Sequence, residues 1–467
     1  MNNFNSSLTT SNTMEVINPA TGKQITQVKA HSRQELDDIL TASASAYATW
    51  FDATPSERGT HLARLADAID ANAEELARLE SLNVGKPLTS ARIEIAVGAD
   101  MLRFFAGAVR RSEAPAAGEY APGYTSMLRR EPLGIVGVVA PWNYPFMLTC
   151  TKIGAVIGAG NALVLKPADA TPLSAIRLAE IAADILPPNL FTLVTGTGPE
   201  IGQGLIEHPD VRSFALTGGT ATGRRVAELG GRHLKRLHLE LGSKNAALVF
   251  DDARLEEAAA AIVAGAFVNS GQDCGAASRV LIHASIYERL VPAILREVEN
   301  IRVGDPLAES TTMGPVFTHQ HQRHVLDMIE RAQQQGGEIL AGGSAIEGPG
   351  AFIRPTVITN VEQDSEVVQH EVFGPVITLQ RFFDDEQAIR MANHVDAGLA
   401  ASVFTNDIRR GMNAVRKLHF GTTWINDHIP MALEFPWGGY KNAGNGCDNS
   451  AYALEQFSQF KHVMIKL

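Results

Sequence analysis

The sequence predicts an α/β protein with two successive, mostly parallel sheets, and three observations carry that expectation. Short apolar runs alternate with helical stretches from Gly134 to Asn426. The apolar runs are hydrophobic almost throughout, not at every second residue. The chain has 467 residues, enough for roughly three domains with large cores. Strands that alternate with helices imply βαβ units, and strands without polar alternation imply sheets covered on both faces.

In order along the chain, residues 1–13 (MNNFNSSLTTSNT) read as a polar, disordered tail, without the basic start or apolar stretch of a signal peptide. From Ser32 to Arg111 apolar residues recur at spacings of three and four, and Gly85-Lys86-Pro87 supplies a helix stop. Strands are expected at 134–140 (GIVGVVA), 161–166 (NALVLK), 190–195 (LFTLVT), 211–217 (VRSFALT) and 234–241 (LKRLHLEL), with helical patterns such as TPLSAIRLAEIAADIL between them. Parallel sheets bind ligands beyond the carboxyl ends of their strands, which singles out loops 140–146, 166–170 and 217–223. A second series has strands at ALVF (247–250), SRVLIH (278–283), PVITLQRF (375–382), ASVFT (401–405) and TTWIN (422–426). The final QFSQFKHVMIKL alternates like a lone strand, which needs a partner; a second subunit is one source.

With 40 Lys+Arg against 51 Asp+Glu the net charge is −11, and no basic run is present, which argues against nucleic acid or an anionic membrane as partner. The longest apolar stretch, Ile153–Leu165, is 13 residues, short of the ~20 that a spanning helix needs. Cys150, Cys274 and Cys447 make neither a disulfide framework nor a zinc pattern, so a reducing, cytoplasmic setting and no metal are expected.

Several motifs can carry chemistry, and each alone also has a plain structural reading. A strict G-x-G-x-x-G is absent. Gly196, Gly198 and Gly202 are one residue too long, and TGGTATG (217–223) spaces Gly218 and Gly223 five apart. Each follows a strand and precedes a helix, so either is a phosphate cradle or an ordinary turn. KPAD (166–169) grips a ribose through Lys166 and Asp169, or merely starts a capped helix. FVNSGQDCGAASR (267–279) sets Cys274 in a polar, Gly-rich turn, as a nucleophilic thiol or an inert one. Cys150, inside FMLTCTK, reads as buried and inert, and Cys447 as a loop thiol. Glu240, in the apolar strand of HLELGSKN (238–245), is costly there unless hydrogen-bonded or at work. PWNYP (141–145) holds Asn143 rigidly, where its amide can donate to a developing oxyanion, or is only a stiff turn.

Together and in this order, PWNYP, KPAD, TGGTATG, LELGSKN, FVNSGQDCGAASR, EVFGPV (371–376) and PWGGYKNAGNG (436–446) resemble the successive motifs of the aldehyde dehydrogenase superfamily. The resemblance runs from INPATG (17–22) to the last strand. RFFAGA (103–108), GQDC, TWIN and the ending ALEQFSQFKHVMIKL are most similar to the aminoaldehyde and betaine-aldehyde branch, especially bacterial 4-aminobutyraldehyde dehydrogenases.

The resemblance implies the aldehyde dehydrogenase fold. A Rossmann-like NAD-binding unit would take residues 14–115 and 134–242, and a second α/β catalytic unit residues 243–445. A small β element from 116–133 and 446–467 would build a homodimer or homotetramer. Cys274 would be the nucleophile, Glu240 the general base, Asn143 the oxyanion amide beside the Cys274 N–H, and Lys152 a supporting proton-relay residue. Ala140, Trp142, Lys166, Ala168, Asp169, Gly202, Thr217, Gly218, Gly219, Gly223 and Leu241 would line the adenosine and pyrophosphate of NAD. Glu371 and Phe373 would hold the nicotinamide ribose and ring. Attack by Cys274 on an aldehyde would lead through a thiohemiacetal to a thioester, hydrolysed by water that Glu240 activates. Asp169 would favour NAD over NADP by repelling a 2′-phosphate.

For the substrate, Tyr144 and Trp437 match two positions of an aromatic box, whereas Thr151 and Val268 stand where plant betaine-aldehyde relatives carry Trp. Glu94 matches a tunnel acid, with Asp100, Asp427 and Glu434 as further candidates. The implied substrate is an ω-aminoaldehyde such as 4-aminobutyraldehyde, ahead of an uncharged aldehyde or betaine aldehyde. Glu240 argues against an acyl-CoA-forming relative, and intact Cys274, Glu240 and Asn143 against a silent structural one. Four departures bear on cofactor affinity and local stability: Gly219 for the usual Ser, Ser243 in LGSK, Lys441-Asn442-Ala443-Gly444, and Cys447-Asp448 in place of a basic–acidic pair.

Overall fold

The computed structural model describes residues 13–111 and 117–467. The expected tail therefore lies outside the described residues except Thr13, which opens a strand, Thr13–Ile17, paired antiparallel with Gln24–Lys29. Four helices follow: α1 (Arg33–Trp50), α2 (Pro55–Ala71), α3 (Ala73–Val84) and α4 (Leu88–Ala108). Ser32 with Glu35, and Thr54 with Glu57, form reciprocal capping boxes that satisfy the first free N–H groups of α1 and α2. Gly85 ends α3 at φ 92°, a left-handed conformation that glycine adopts without steric cost.

Two large sheets organise the rest. The first contains β1 (Ile135–Val139), β2 (Ala162–Lys166), β3 (Phe191–Leu193), β4 (Val211–Gly218) and β5 (Arg236–Leu241), all parallel. The second contains β6 (Ala246–Val249), β7 (Arg279–His283), β8 (Glu338–Ala341), β9 (Thr356–Thr359), β10 (Val376–Phe382), β11 (Ala400–Phe404) and β12 (Thr422–Ile425). Its order is β8-β9-β10-β7-β6-β11-β12, with only β8 antiparallel. A two-residue strand, β13 (Gly444–Asn445), returns to the first sheet antiparallel to β5, giving the order β13-β5-β4-β1-β2-β3. The strand order reverses between β1 and β4, the switch point where ligands bind in such sheets.

Alternating side chains of β6 show the covered faces directly. Ala247 and Val249 enter one core with Ile262, Val280 and Leu290, while Ala246, Leu248 and Phe250 enter another with Phe382 and Val403. The first sheet packs on α4 and on α5 (Pro145–Gly158), where Phe105, Phe146 and Ile153 are fully buried. Cys150 is among them, as the sequence suggests.

The terminal strand departs from one reading of the sequence. Ser458–Lys466 pairs with Tyr124–Pro132 of the same chain, in register from Ser458↔Pro132 to Lys466↔Tyr124. The partner is thus supplied within the chain. Asn161 Nδ2 donates to Phe457 O at 2.8 Å and Arg236 Nη1 to Ser458 O at 2.5 Å, and together they clamp the strand's start. Its other edge pairs with no strand among the described residues, and Phe460, Met464 and Ile465 are exposed there.

Candidate active site

After Leu241 the chain passes straight through Gly242–Asn245 into β6, so the carboxyl edge of the first sheet abuts the amino edge of the second. Cys274 sits on the second side of this junction, between α7 (Leu255–Phe267) and β7. The turn that delivers it is unusual. Asn269, Ser270 and Gly271 are all left-handed, at φ 48°, 57° and 70°, a conformation that costs an L-residue roughly 1–2 kcal/mol. A side chain at Gly271 would collide with the Gly374 carbonyl.

Surrounding groups hold that turn. Ser270 Oγ donates to Gly314 O at 2.9 Å, and the Phe317 N–H donates to Gln272 Oε1 at 2.9 Å. Asn245 Nδ2 donates to the carbonyls of Cys274 (2.6 Å) and Ala276 (3.0 Å). His428, kept neutral by burial that pushes it down to about 4, donates through Nε2 to Gly275 O at 2.8 Å. Asn143 approaches from the β1 side: its Nδ2 donates to Gln272 O at 3.0 Å, and its own carbonyl accepts from Lys86 (2.9 Å) and Asn269 (3.0 Å). The Asn143 amide and the Cys274 backbone thus share one turn.

Glu240 projects from the end of β5, buried, with its carboxylate beside the Cys274 thiol and its Oε1 without a hydrogen-bond partner among the described residues. Burial pushes Glu240 up to about 8; neighbouring Asp448 adds to the rise, and Lys152 opposes it. Burial also drives the Cys274 thiol well above its ordinary range, helped by the carboxylates of Glu240, Asp273 and Glu371. The resting pair is a neutral thiol against a carboxyl that titrates near neutrality. Lys152 lies behind them, bonded to Asp448 Oδ1 at 2.5 Å and to His238 Nε2 at 3.3 Å. Burial would raise Asp448, but Lys152 and His238 outweigh it and hold the carboxyl well below its usual range. The departure at Cys447-Asp448 thus leaves Lys152 with a buried counter-ion.

On the other side of the junction lie the carboxyl ends of β1, β2 and β4. Ala140 N donates to Lys166 O at 2.9 Å, keeping these strand ends together. The Trp142 indole stacks on Phe317 at 3.6 Å between centroids and meets Phe373 edge-on at 5.2 Å. Lys166 is ion-paired with the exposed Asp169, two residues beyond its bond to Pro167 O and past the half-buried Ala168. Gly202 lies against Val139 and Lys166. Thr217 and Gly218 close β4, and Gly219 caps α6 (Thr220–Arg232) without a side-chain bond, so the first-turn N–H groups of α6 remain available. A side chain at Gly223 would strike Leu241, which fixes the close approach of α6 to β5.

Glu371 Oε1 accepts from Ser243 N at 2.9 Å, and burial pushes this acid up to about 7. The Ser243 hydroxyl donates to Asn245 Oδ1 at 2.7 Å and accepts from Leu399 N at 2.8 Å. The hydroxyl that LGSK adds thus ties Leu399 to Asn245, the residue that holds the Cys274 carbonyl. Phe373, left-handed at φ 53°, is held by His321 Nε2 donating to its carbonyl at 2.7 Å. An ammonium, an uncapped helix start and two carboxylates are groups of the kind that suit the phosphates and riboses of a dinucleotide.

The substrate-side expectations divide. Tyr144, Trp437 and Val268 are half-buried around the Cys274 turn, with the Tyr144 hydroxyl donating to Asp273 Oδ2 at 2.7 Å. Thr151 is buried in α5 and returns its hydroxyl to Met147 O at 3.0 Å. Glu94 requires correction. It is buried in an ion pair with Lys86, which also pairs with Glu80 at 3.1 Å, and it accepts from Met147 N at 3.1 Å. It braces α4 against α5 and is not an open tunnel acid. Asp100, Asp427 and Glu434 are exposed. Residues that sequence reading passed over include Lys86, Asp273, Asn245, His428, Phe317 and His321. Asp273 lay in the quoted GQDC motif, but nothing in the sequence told its side chain apart from that of any turn acid.

Comparison with known proteins agrees with this geometry. The family model described as "Aldehyde dehydrogenase family" matches residues 7–463. PnpE from Pseudomonas sp. WBC-3 superposes with a TM-score of 0.95 at 35% identity, covering 97% of this chain and 94% of that one, and PnpE has also been solved with nicotinamide adenine dinucleotide. The NAD+ complex of betaine aldehyde dehydrogenase from Staphylococcus aureus gives 0.95 at 33% identity, over 97% and 92% of the two chains. That of aldehyde dehydrogenase from Bacillus cereus gives 0.95 at 35%, over 97% and 93%. With the family model spanning nearly the whole chain and the fold matching throughout, the protein is an enzyme of the aldehyde dehydrogenase family.

Proposed function

We propose that the protein oxidises an aldehyde to its carboxylic acid with NAD, using Cys274 as nucleophile, and that the natural aldehyde carries an ω-amino group. The observation that carries the chemistry is the Glu240 carboxylate buried beside the Cys274 thiol. The Cys274 thiol loses its proton to solvent and its sulfur attacks the carbonyl carbon. The Asn143 amide and the Cys274 N–H donate to the oxygen that becomes an alkoxide; removing one such donor typically costs ~10²–10³ in rate. NAD, when bound, accepts the hydride. Lys166, Asp169, the start of α6 and Glu371 hold it, and the exposed Asp169 carboxylate disfavours a 2′-phosphate. The acyl group left on Cys274 is released by water, from which Glu240 withdraws a proton. Lys152, neutralised by Asp448, supports Glu240 from behind.

Three carboxylates surround the thiol, Glu240, Asp273 and Glu371, and Trp437 flanks its turn. A carboxyl-rich, partly aromatic mouth supports an ammonium-bearing substrate. Val268 and Thr151 leave the aromatic wall incomplete, which favours a primary amine over the trimethylammonium of betaine aldehyde. The edge of Ser458–Lys466 that pairs with no strand among the described residues, with its exposed Phe460, Met464 and Ile465, supports association into dimers or tetramers through this strand. NADH formation from 4-aminobutyraldehyde, betaine aldehyde, butyraldehyde and benzaldehyde, with and without CoA, tests the whole reading. Turnover without CoA, fastest on 4-aminobutyraldehyde, is expected. A tenfold advantage for the neutral aldehydes would overturn the substrate, and no NADH from any aldehyde would overturn the activity.

A further inference from the structure

Phe317 ends the loop that leads into the helix His319–Gln334, yet that helix does not call for an aromatic residue there. The cap is Thr318, whose side chain accepts from His321 N at 3.1 Å. An apolar residue just before such a cap ordinarily packs against the fourth helical residue. Here that residue is Gln322, whose amide donates to Phe352 O at 2.8 Å. The Phe317 ring lies instead flat on the Trp142 indole, 3.6 Å between centroids and 15° between planes. Trp142 in turn meets His321 at 5.4 Å and Phe373 at 5.2 Å, both edge-on, and His321 holds the Phe373 carbonyl at 2.7 Å. Four rings from three separate stretches of chain thus close on one another. Phe373 is left-handed, a conformation that persists in an aromatic residue only where its surroundings impose it. The Phe317 loop is also rooted in the turn that carries Cys274, through Phe317 N on Gln272 Oε1 and Ser270 Oγ on Gly314 O, both at 2.9 Å. Both bonds use backbone atoms of the loop, so neither depends on the Phe317 side chain.

We propose that Phe317 is a positioning residue for the cofactor: its ring holds the Trp142 indole, and through it the Phe373 ring, in place for NAD. Trp142 stands just beyond β1, at the switch point where such sheets bind their ligands, and its carbonyl accepts from Thr171 Oγ at 3.1 Å in the loop after β2. Phe373 lies two residues from Glu371. The proposal rests on the NAD site proposed above. Without the Phe317 ring the indole gains rotamer freedom that NAD binding must then remove, so the loss falls on cofactor affinity and not on the thiol.

The test compares wild type with Phe317→Leu, Phe317→Tyr and Phe373→Ala. Leucine keeps apolar bulk but loses the flat face, which tyrosine retains. Titration calorimetry with NAD gives the Kd separately from the fraction of protein that is folded. The rate at which iodoacetamide alkylates Cys274 without NAD, followed on its peptide by mass spectrometry, reports on the nucleophile's turn. Phe317→Leu should raise the NAD Kd roughly three- to tenfold, with Phe317→Tyr within about twofold of wild type. Alkylation should match wild type in both. An unchanged Kd in Phe317→Leu would overturn the proposal whatever its melting temperature, because a merely structural residue lowers stability without touching affinity. A tyrosine variant as weak as the leucine one would overturn it too, as would alkylation altered as much as affinity, which puts the effect in the Cys274 turn. Phe373→Ala raising the Kd while Phe317→Leu does not would remove the positioning role and leave the NAD site standing. Phe373→Ala leaving the Kd unchanged would refute the assignment of that wall to NAD, and the proposal with it.

Discussion

Replacing Glu240 with glutamine should separate bond formation at sulfur from release of the acyl group. The side chain keeps its size but can no longer accept a proton, and general-base catalysis is typically worth ~10²–10⁴ in rate. Because burial pushes Glu240 up to about 8, only about one part in eleven is ionised at pH 7, and about ten in eleven at pH 9. Wild-type kcat should therefore rise roughly tenfold between those pH values, levelling off above the carboxyl's pKa. Glu240→Gln should lose that rise together with at least ~10² of steady turnover, and give at most one equivalent of NADH per site before stalling. Stopped-flow absorbance gives the burst, and steady-state rates across pH give the profile. A wild-type profile flat from pH 6.5 to 9 would refute the assignment, as would a variant turning over at more than about a tenth of the wild-type rate.

Other substitutions probe the remaining parts. Cys274→Ala should abolish turnover while NAD binding, followed by fluorescence quenching, persists; steady activity above a few per cent of wild type would remove Cys274 from its role. Asp448→Ala should destabilise the fold by about 3 kcal/mol or more, since it leaves the Lys152 ammonium buried without its partner; chemical denaturation measures this. Because folding lowers the Asp448 pKa, its contribution is complete above the ordinary carboxylate range and is lost as the pH falls through and below that range. Wild type should use NAD more efficiently than NADP, and Asp169→Asn should narrow the gap; equal efficiency in wild type would sink that argument. Light scattering should give a mass above that of one chain, and Phe460→Glu with Ile465→Glu should lower it; a wild-type monomer at micromolar concentration would contradict the edge-strand interface.

Much of the frame was legible because the physics is local. Near-continuous apolar runs predict β1 to β5 and five strands of the second sheet, and Asn143 just after β1, with Lys166 and Gly218 at the ends of β2 and β4, stands where the carboxyl-end rule for parallel sheets puts ligands. That rule does not reach Cys274, which precedes β7 and so sits at the amino edge of its own sheet. Only the direct passage from β5 to β6 brings the two edges together, and no local pattern encodes such a junction. The three left-handed residues before Cys274 are equally hidden, because Asn-Ser-Gly is compatible with many turns. Glu94 was misread for a related reason. Its partner Lys86 lies eight residues away, across the break between α3 and α4, so the ion pair exists only once both helices are placed. The terminal strand's alternation announced a partner but could not name it, since strand pairing with Tyr124–Pro132 spans more than three hundred residues of sequence.

The central claim, a covalent acyl intermediate on Cys274, is tested most directly by trapping it. Glu240→Gln is mixed with NAD and 4-aminobutyraldehyde, quenched in acid, digested and analysed by mass spectrometry. The aminobutanoyl mass is expected on the peptide carrying Cys274 and on no other cysteine, in an amount equal to the NADH burst. NADH released with the Cys274 peptide unmodified, or the acyl group found on Cys150 or Cys447, would contradict it.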